Sequence, residues 1–278
     1  MSAAAIIPIT LVAAIVNGAL GYGFSSITVP LALLFLSNRV LNPALVPIEI
    51  VLNAYVLWIN RDALPAVARR VRPVVIGLVP GVIAGTLVVA HVSPGWLKLA
   101  TYIVLLPLIL LQASGLRRPV RAERAAGAIF GAGLGVLYSV TTISGPPLAM
   151  ALNNQGLTKR EFRAALGVVR LAESTMTAIA YFAAGFFIRD SAALIPRILP
   201  SVIVGVPIGA VLIRHLSPET FRRLCMSFDA WIVSFGISTL LQQLQIVAGP
   251  AAFSILAVVM LIDTALLYRY FSSSRSRV

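Results

Sequence analysis

Residues 73–90 read PVVIGLVPGVIAGTLVVA, eighteen positions without a charged or amide side chain. Coiled as a helix at ~1.5 Å per residue, a run of this length crosses most of a bilayer core. It lacks the strict apolar–polar alternation of a barrel strand. The whole chain follows suit: of 278 residues, 59% are hydrophobic and 11% charged, against about 25% charged in a soluble domain. So few charges leave no way to cover a surface in water. In lipid, only helices and closed barrels satisfy the backbone, and the long continuous runs select helices.

Similar segments are expected near residues 4–36, 45–59, 73–91, 97–113, 125–152, 164–187, 198–213, 224–241 and 251–268. The first is interrupted at Gly21, Gly23 and Ser25, the fifth around Ser139 to Pro147. The N-terminal MSAAAIIPIT has no basic flank and reads as an uncleaved first helix. The net charge of +13 would suggest nucleic acid in a soluble protein, but no basic stripe lies on any soluble-looking domain, so no nucleic-acid partner is expected. One cysteine, Cys225, excludes an internal disulfide and a cysteine metal site.

A shift of 124 residues carries Gly81, Val82, Gly85, His91, Ser93 and Pro94 onto Gly205, Val206, Gly209, His215, Ser217 and Pro218. With another offset, Leu20-Gly21 and Ser25 resemble Leu134-Gly135 and Ser139, and Pro30-Leu31 resembles Pro147-Leu148. Charge gives the repeat a direction. If each interrupted segment enters and returns, one side holds seventeen of the 22 Lys and Arg and the other four, with Arg170 inside a span. Cytoplasmic loops collect Lys and Arg, so the N-terminus is expected outside and the C-terminus inside. Three full spans after each hairpin then invert the second half. The expected fold is an all-α integral membrane protein of two inverted-topology repeats. Each repeat is a broken or re-entrant hairpin plus three spanning helices, and one extra span ends the chain. The expected divisions are repeat 1 (1–113), a basic cytoplasmic linker (114–124), repeat 2 (125–241) and a C-terminal helix with a basic tail (242–278).

The interrupted segments, NGALGYGFSSITVPL (17–31) and GAGLGVLYSVTTISGPPL (131–148), carry the candidate site. Broken backbone at membrane depth is tolerated where protein or a water-filled cavity surrounds it. A half-helix N-terminus there presents free N–H groups and a positive dipole end. Gly21, Gly23, Pro30, Gly145, Pro146 and Pro147 are the expected helix-break or hinge positions. Ser25, Ser26, Thr28, Ser139, Thr141, Thr142 and Ser144 supply donors. Arg170 is an intramembrane cation and the expected partner of an anion; its structural alternative is an ion pair with Glu173, one turn away. Asn53 lies in the loosely corresponding span of the first half. Of the acids within or near spans, Glu49, Glu173, Asp229 and Asp263, Glu49 and Asp229 stand foremost for carrying a coupling proton. The two histidines fall on opposite faces, so no metal site and no bound cofactor are expected. HExxH, GxSxG, Walker A and GxGxxG motifs are absent.

On these residues the chain resembles the sulfite exporter TauE/SafE family. The likeness lies in GALGYGFSS…VPL, in its echo before Pro147, in LTKREFRAALGVVR (157–170), and in the Gly-containing spans from Pro73 and Ile198. The echo reads Gly-Val-Leu-Tyr where the first break reads Gly-Tyr-Gly-Phe. The resemblance implies a multi-pass transporter of the bacterial cytoplasmic membrane, carrying organic sulfonates, sulfite or related anions. By position it places Ser25, Ser26, Thr141, Thr142 and Ser144 around the central site. The expected partners are a small anionic solute, the lipid bilayer and a second copy in a homodimer. The alternatives are a carboxylate transporter, an intramembrane enzyme acting on a lipid or peptide, and a non-transporting scaffold.

Overall fold

A computed structural model of the chain describes residues 5–114, 124–153, 157–212 and 218–275. His215 and Ser217, half of the His-x-Ser-Pro repeat, lie outside the described residues. The described residues form eleven α-helices and no strand. In order these are α1 (Ile6–Leu20), α2 (Phe24–Ala32), α3 (Asn38–Ile59), α4 (Leu64–His91), α5 (Pro94–Ser114), α6 (Arg124–Thr141), α7 (Gly145–Asn153), α8 (Lys159–Ala183), α9 (Arg189–Leu212), α10 (Pro218–Gln243) and α11 (Ser254–Arg275).

Among the described residues, six helical stretches are long and apolar enough to cross a membrane: α3, α4 with the turn before it, α5, α9, α10, and α11 with the turn before it. The 25 residues of α8 reach about 38 Å, but its interior carries Arg170 and Glu173. The outer surface is apolar: Ile129, Phe182 and Leu261 are each more than 70% exposed. That is the face a multi-pass membrane protein turns to lipid, where exposed apolar area costs nothing.

The order of elements repeats. A helix of 15 residues, a break and a helix of nine open the first half; 18, a break and nine open the second. Three long helices follow each pair. The packing exchanges partners between the halves: α4 lies along α6, while α9, its counterpart in order, lies along α1. Glycine makes both crossings. A methyl on Gly81 would sit 2.1 Å from the Ala132 carbonyl oxygen of α6, and one on Gly209 would sit 1.9 Å from that of Ile15 in α1. Helices meet this closely in a membrane only where one side presents no side chain.

Several helices begin earlier than the hydropathy suggests: α3 starts at Asn38, α4 at Leu64 and α9 at Arg189. Proline does not set these boundaries: α3 runs through Pro43 and Pro47, α4 through Pro73 and α9 through Pro196 and Pro200. Each proline removes one intrahelical hydrogen bond; neighbouring helices and local adjustment make that tolerable in a membrane bundle. The early start of α3 has a use. Arg39 donates to the carbonyls of Val89, Ala90 and Val92 at 2.7–3.1 Å, closing the C-terminal end of α4.

Candidate functional site

The first break follows from glycine. Gly21 (φ 82°) ends α1, and its N–H bonds the Asn17 carbonyl at 2.7 Å; Gly23 (φ 108°) precedes α2. A side chain in this left-handed region is strained, so two glycines within three residues decide where the helix stops.

The second break has no such glycine. Its left-handed residue is Thr142 (φ 56°), which is costly for a β-branched side chain. The surroundings hold it. Its N–H bonds the Tyr138 carbonyl at 2.6 Å, and its hydroxyl turns back to the Thr141 carbonyl at 2.7 Å. Other carbonyls left open at the end of α6 are filled by distant side chains. Tyr181 of α8 donates to Ser139, and Asn42 and Asn38 of α3 donate to Val140 at 2.8 and 3.2 Å. The Thr141 hydroxyl donates to Leu137 at 2.7 Å and receives the Ile143 N–H at 3.0 Å. Every carbonyl from Leu137 to Thr141 thus has a donor.

The break therefore covers residues 142–144, and neighbouring sequence candidates fall elsewhere. Ser139 lies within α6, bonded to Thr177 at 3.3 Å and to the Val82 carbonyl at 3.4 Å. Gly145, Pro146 and Pro147 form the first turn of α7, where a missing proline N–H costs little. Pro30 lies inside α2, and its carbonyl receives the Tyr102 hydroxyl at 2.7 Å. The first break lies against the start of α7, just past the second break: a methyl on Gly145 would lie 3.5 Å from the Tyr22 Cβ. Tyr22 shares an apolar cluster with Leu148, Ala149 and Leu152 of α7.

A charged cluster lies against these tips. Glu49 of α3 is fully buried and accepts three bonds from three other helices. The Ser25 hydroxyl of α2 donates to Oε1, the Tyr138 hydroxyl of α6 to Oε2 at 2.7 Å, and Arg170 Nη2 of α8 to Oε1 at 3.1 Å. Arg170 thus pairs with Glu49 and not with its helical neighbour Glu173. Glu173 instead accepts the Ser144 hydroxyl of the second tip. Residues 49 and 173 are themselves related by the 124-residue shift. Extending the 124-residue match by one more helix brings this pair together. Tyr138 is the member that sequence reasoning missed.

Four buried polar atoms at or near the cluster lack a partner: Thr28 Oγ1, Asn53 Nδ2, Arg170 Nε and Glu173 Oε2. Ser26 is buried on α2 beside Ser25. Asp229 is buried on α10 with neither oxygen bonded, on the same helix as the core residues Met226, Ala230 and Val233. Asp263 of α11 is bonded by Ser227 at 2.8 Å and by the Trp231 side chain. Among the described residues, no three His, Cys, Asp or Glu side chains could hold a metal.

Comparison with curated proteins and with solved structures gives no match. The family description "Sulfite exporter TauE/SafE" matches residues 6–235, which include both breaks and the whole charged cluster. The chain belongs to the TauE/SafE family, whose members are membrane transporters and not enzymes.

Proposed function

We propose that the chain carries a small anion, sulfite or an organic sulfonate first and a carboxylate next, by alternating access around the two helix breaks. The single observation that carries this reading is the meeting of both breaks beside one buried arginine. Ser25 and Ser144, one from each tip, reach carboxylates on facing helices, and Arg170 stands between them with a single hydrogen bond, to Glu49. A guanidinium has five N–H donors in a planar fork. An anion arriving at the tips finds the remaining ones, together with the N–H groups of the first turn of α2. The α7 end offers fewer, because Pro146 and Pro147 have none. Thr141 and Thr142 turn their hydroxyls to their own backbone, so Ser25, Ser26, Thr28, Asn53, Ser144 and Arg170 form the binding set in this conformation.

The two halves act as inverted repeats, the N-terminus outside and the C-terminus inside. This is supported by the repeated element order, the exchanged α4–α6 and α9–α1 packing, and the Lys and Arg bias between loops. Arg163, exposed on α8, brings its Nε within 3.9 Å of where a Gly21 methyl would lie. It marks a basic mouth on the cytoplasmic side of the first tip.

The test is a charge-movement recording on proteoliposomes challenged with sulfite, sulfoacetate, taurine, sulfate and a simple carboxylate, repeated as ligand-induced thermal shift for electroneutral cycles. A saturable response to a sulfur anion that vanishes in a folded Arg170→Ala variant is the expected result. A response to the carboxylate alone moves the substrate class. Silence in both assays overturns the anion reading.

A further inference from the structure

We propose that Glu173 takes up a proton when the anion binds, so that transport is proton-coupled. This rests on the anion reading above and adds to it the coupling ion and the residue that carries it.

The two buried glutamates hold equivalent places but unequal company. Glu49 accepts from Ser25, Tyr138 and the Arg170 guanidinium. Three donors, one of them cationic, suit an acceptor-only carboxylate ion. Glu173 accepts only from Ser144; its Oε2 is buried without a partner. Among the described residues no cation lies within ion-pairing distance of it.

The groups facing Glu173 are few. Arg170, one turn back on α8, is committed to Glu49. Glu49 faces it from α3 and Tyr138 from α6, close enough for their charges to interact. α7 contributes only the Ser144 hydroxyl before its first turn and has no ionisable side chain. α4, packed along α8, has none between Arg72 and His91. Arg61 and Asp62, on the turn that also touches α8, are exposed.

With both glutamates ionised, the cluster holds two negative charges and one positive in a dry interior. That is costly for the group left without a counter-charge. An incoming anion adds another negative charge beside the same arginine. A proton on Glu173 cancels the addition. It comes from bulk water, forms an O–H bond on the carboxyl and leaves to water on release; no other bond changes. Proton and anion then favour each other's binding.

The experiment uses the full chain in lipid nanodiscs, with methanesulfonate as probe because its charge does not change across the neutral range, and sulfite as a second probe. Calorimetry at a pH above the titration of Glu173, in buffers of different ionisation enthalpy, counts protons taken up per anion. The expected result is uptake of about one proton, with affinity falling about tenfold per pH unit above the titration of Glu173, and loss of both in E173Q while binding persists. Binding without proton uptake, or uptake unchanged in E173Q, overturns the assignment. If E173Q does not fold, infrared difference spectra of the wild-type chain at the same pH decide: a protonated-carboxyl band that appears on anion binding supports the proposal, and its absence overturns it. A wild-type chain that binds neither probe at any pH overturns the sulfur-anion reading, and this inference with it.

Discussion

Glu49 on α3 and Glu173 on α8 stand 124 residues apart, and each accepts a hydroxyl from at or beside the helix break of its own half, Ser25 for one and Ser144 for the other. The same shift carries Gly81 onto Gly205 and Gly85 onto Gly209, the residues that let α4 and α9 approach their neighbours. The scaffold and the charges therefore repeat together. The exception is Arg170: the shift places it opposite Val46, which is buried and apolar. One half carries the cation, and its bond crosses to the other half's glutamate.

That crossing makes the pair sensitive to one-sided change. Arg170→Ala leaves Glu49 buried with two hydroxyl donors and no counter-charge, which costs about 3–5 kcal/mol. Pairing it with Glu49→Gln removes the orphaned charge and recovers most of the loss. Thermal unfolding in detergent should show a large drop for the single variant and a small one for the double. Sulfonate binding should be weak in both, because the guanidinium is gone either way. An unfolding temperature unmoved by Arg170→Ala would mean that the Glu49–Arg170 bond is not formed.

The helix crossings give a graded test. A methyl at Gly81 or Gly209 meets a backbone carbonyl oxygen at 2.1 or 1.9 Å, and a main chain cannot swing aside as a side chain can. Gly81→Ala and Gly209→Ala should each cost about 3 kcal/mol or more, the upper end of overpacking. Gly133, on α6 next to Ala132, has nothing within 4 Å of such a methyl. Gly133→Ala should be neutral or stabilising by a few tenths up to about 1 kcal/mol. Equal yields of monodisperse protein from all three variants would mean that the crossings are looser than described.

The helical membrane class was legible in residues 73–90 because lipid leaves so few backbone solutions. The first break was legible because only glycine sits easily at the φ of Gly21 and Gly23. The second was legible only to within a few residues. Its left-handed position is Thr142, held by Asn38, Asn42 and Tyr181 from two other helices, and no local sequence rule encodes that support. Arg170 could be picked out as an intramembrane cation, but its partner could not, since Glu49 lies 121 residues away and Glu173 is the nearer choice along the helix. The starts of α3, α4 and α9 were legible only in part: these helices run through prolines, and the cost of a lost hydrogen bond depends on which neighbours can make it good.

The N-terminus of α8 supplies a pH dependence outside the membrane span. Thr158 caps the helix, accepting the Glu161 N–H at 3.3 Å, and the Glu161 carboxylate accepts the Thr158 N–H at 2.8 Å. The bond from the Thr158 backbone, first, holds Glu161 below its usual range. A carboxyl depressed by folding adds stability that is present above its unfolded pKa and lost as pH falls through its folded one. Glu161→Gln should therefore unfold at a lower temperature than the wild type at neutral pH, and the gap should close in acid. A gap that stayed constant with pH would leave the capping geometry without an electrostatic part.

The inversion of the halves can be tested at the turns after α3 and α8, which correspond in element order. Asp62 and Ala184 are exposed there. Arg61, Arg69, Arg70 and Arg72 surround the first turn, whereas Arg189 and Arg197 are the only Lys or Arg near the second. Under the Lys and Arg rule the first faces the cytoplasm, and an inverted second half puts the second outside. In a Cys225→Ser background, Asp62→Cys should react with a membrane-impermeant maleimide only after the cells are opened, and Ala184→Cys in intact cells. Labelling from the same side would mean that α3 and α8 cross in the same direction. The 124-residue repeat would then be parallel, and the two serine-bearing tips would enter from one face, which leaves alternating access around them without its symmetry.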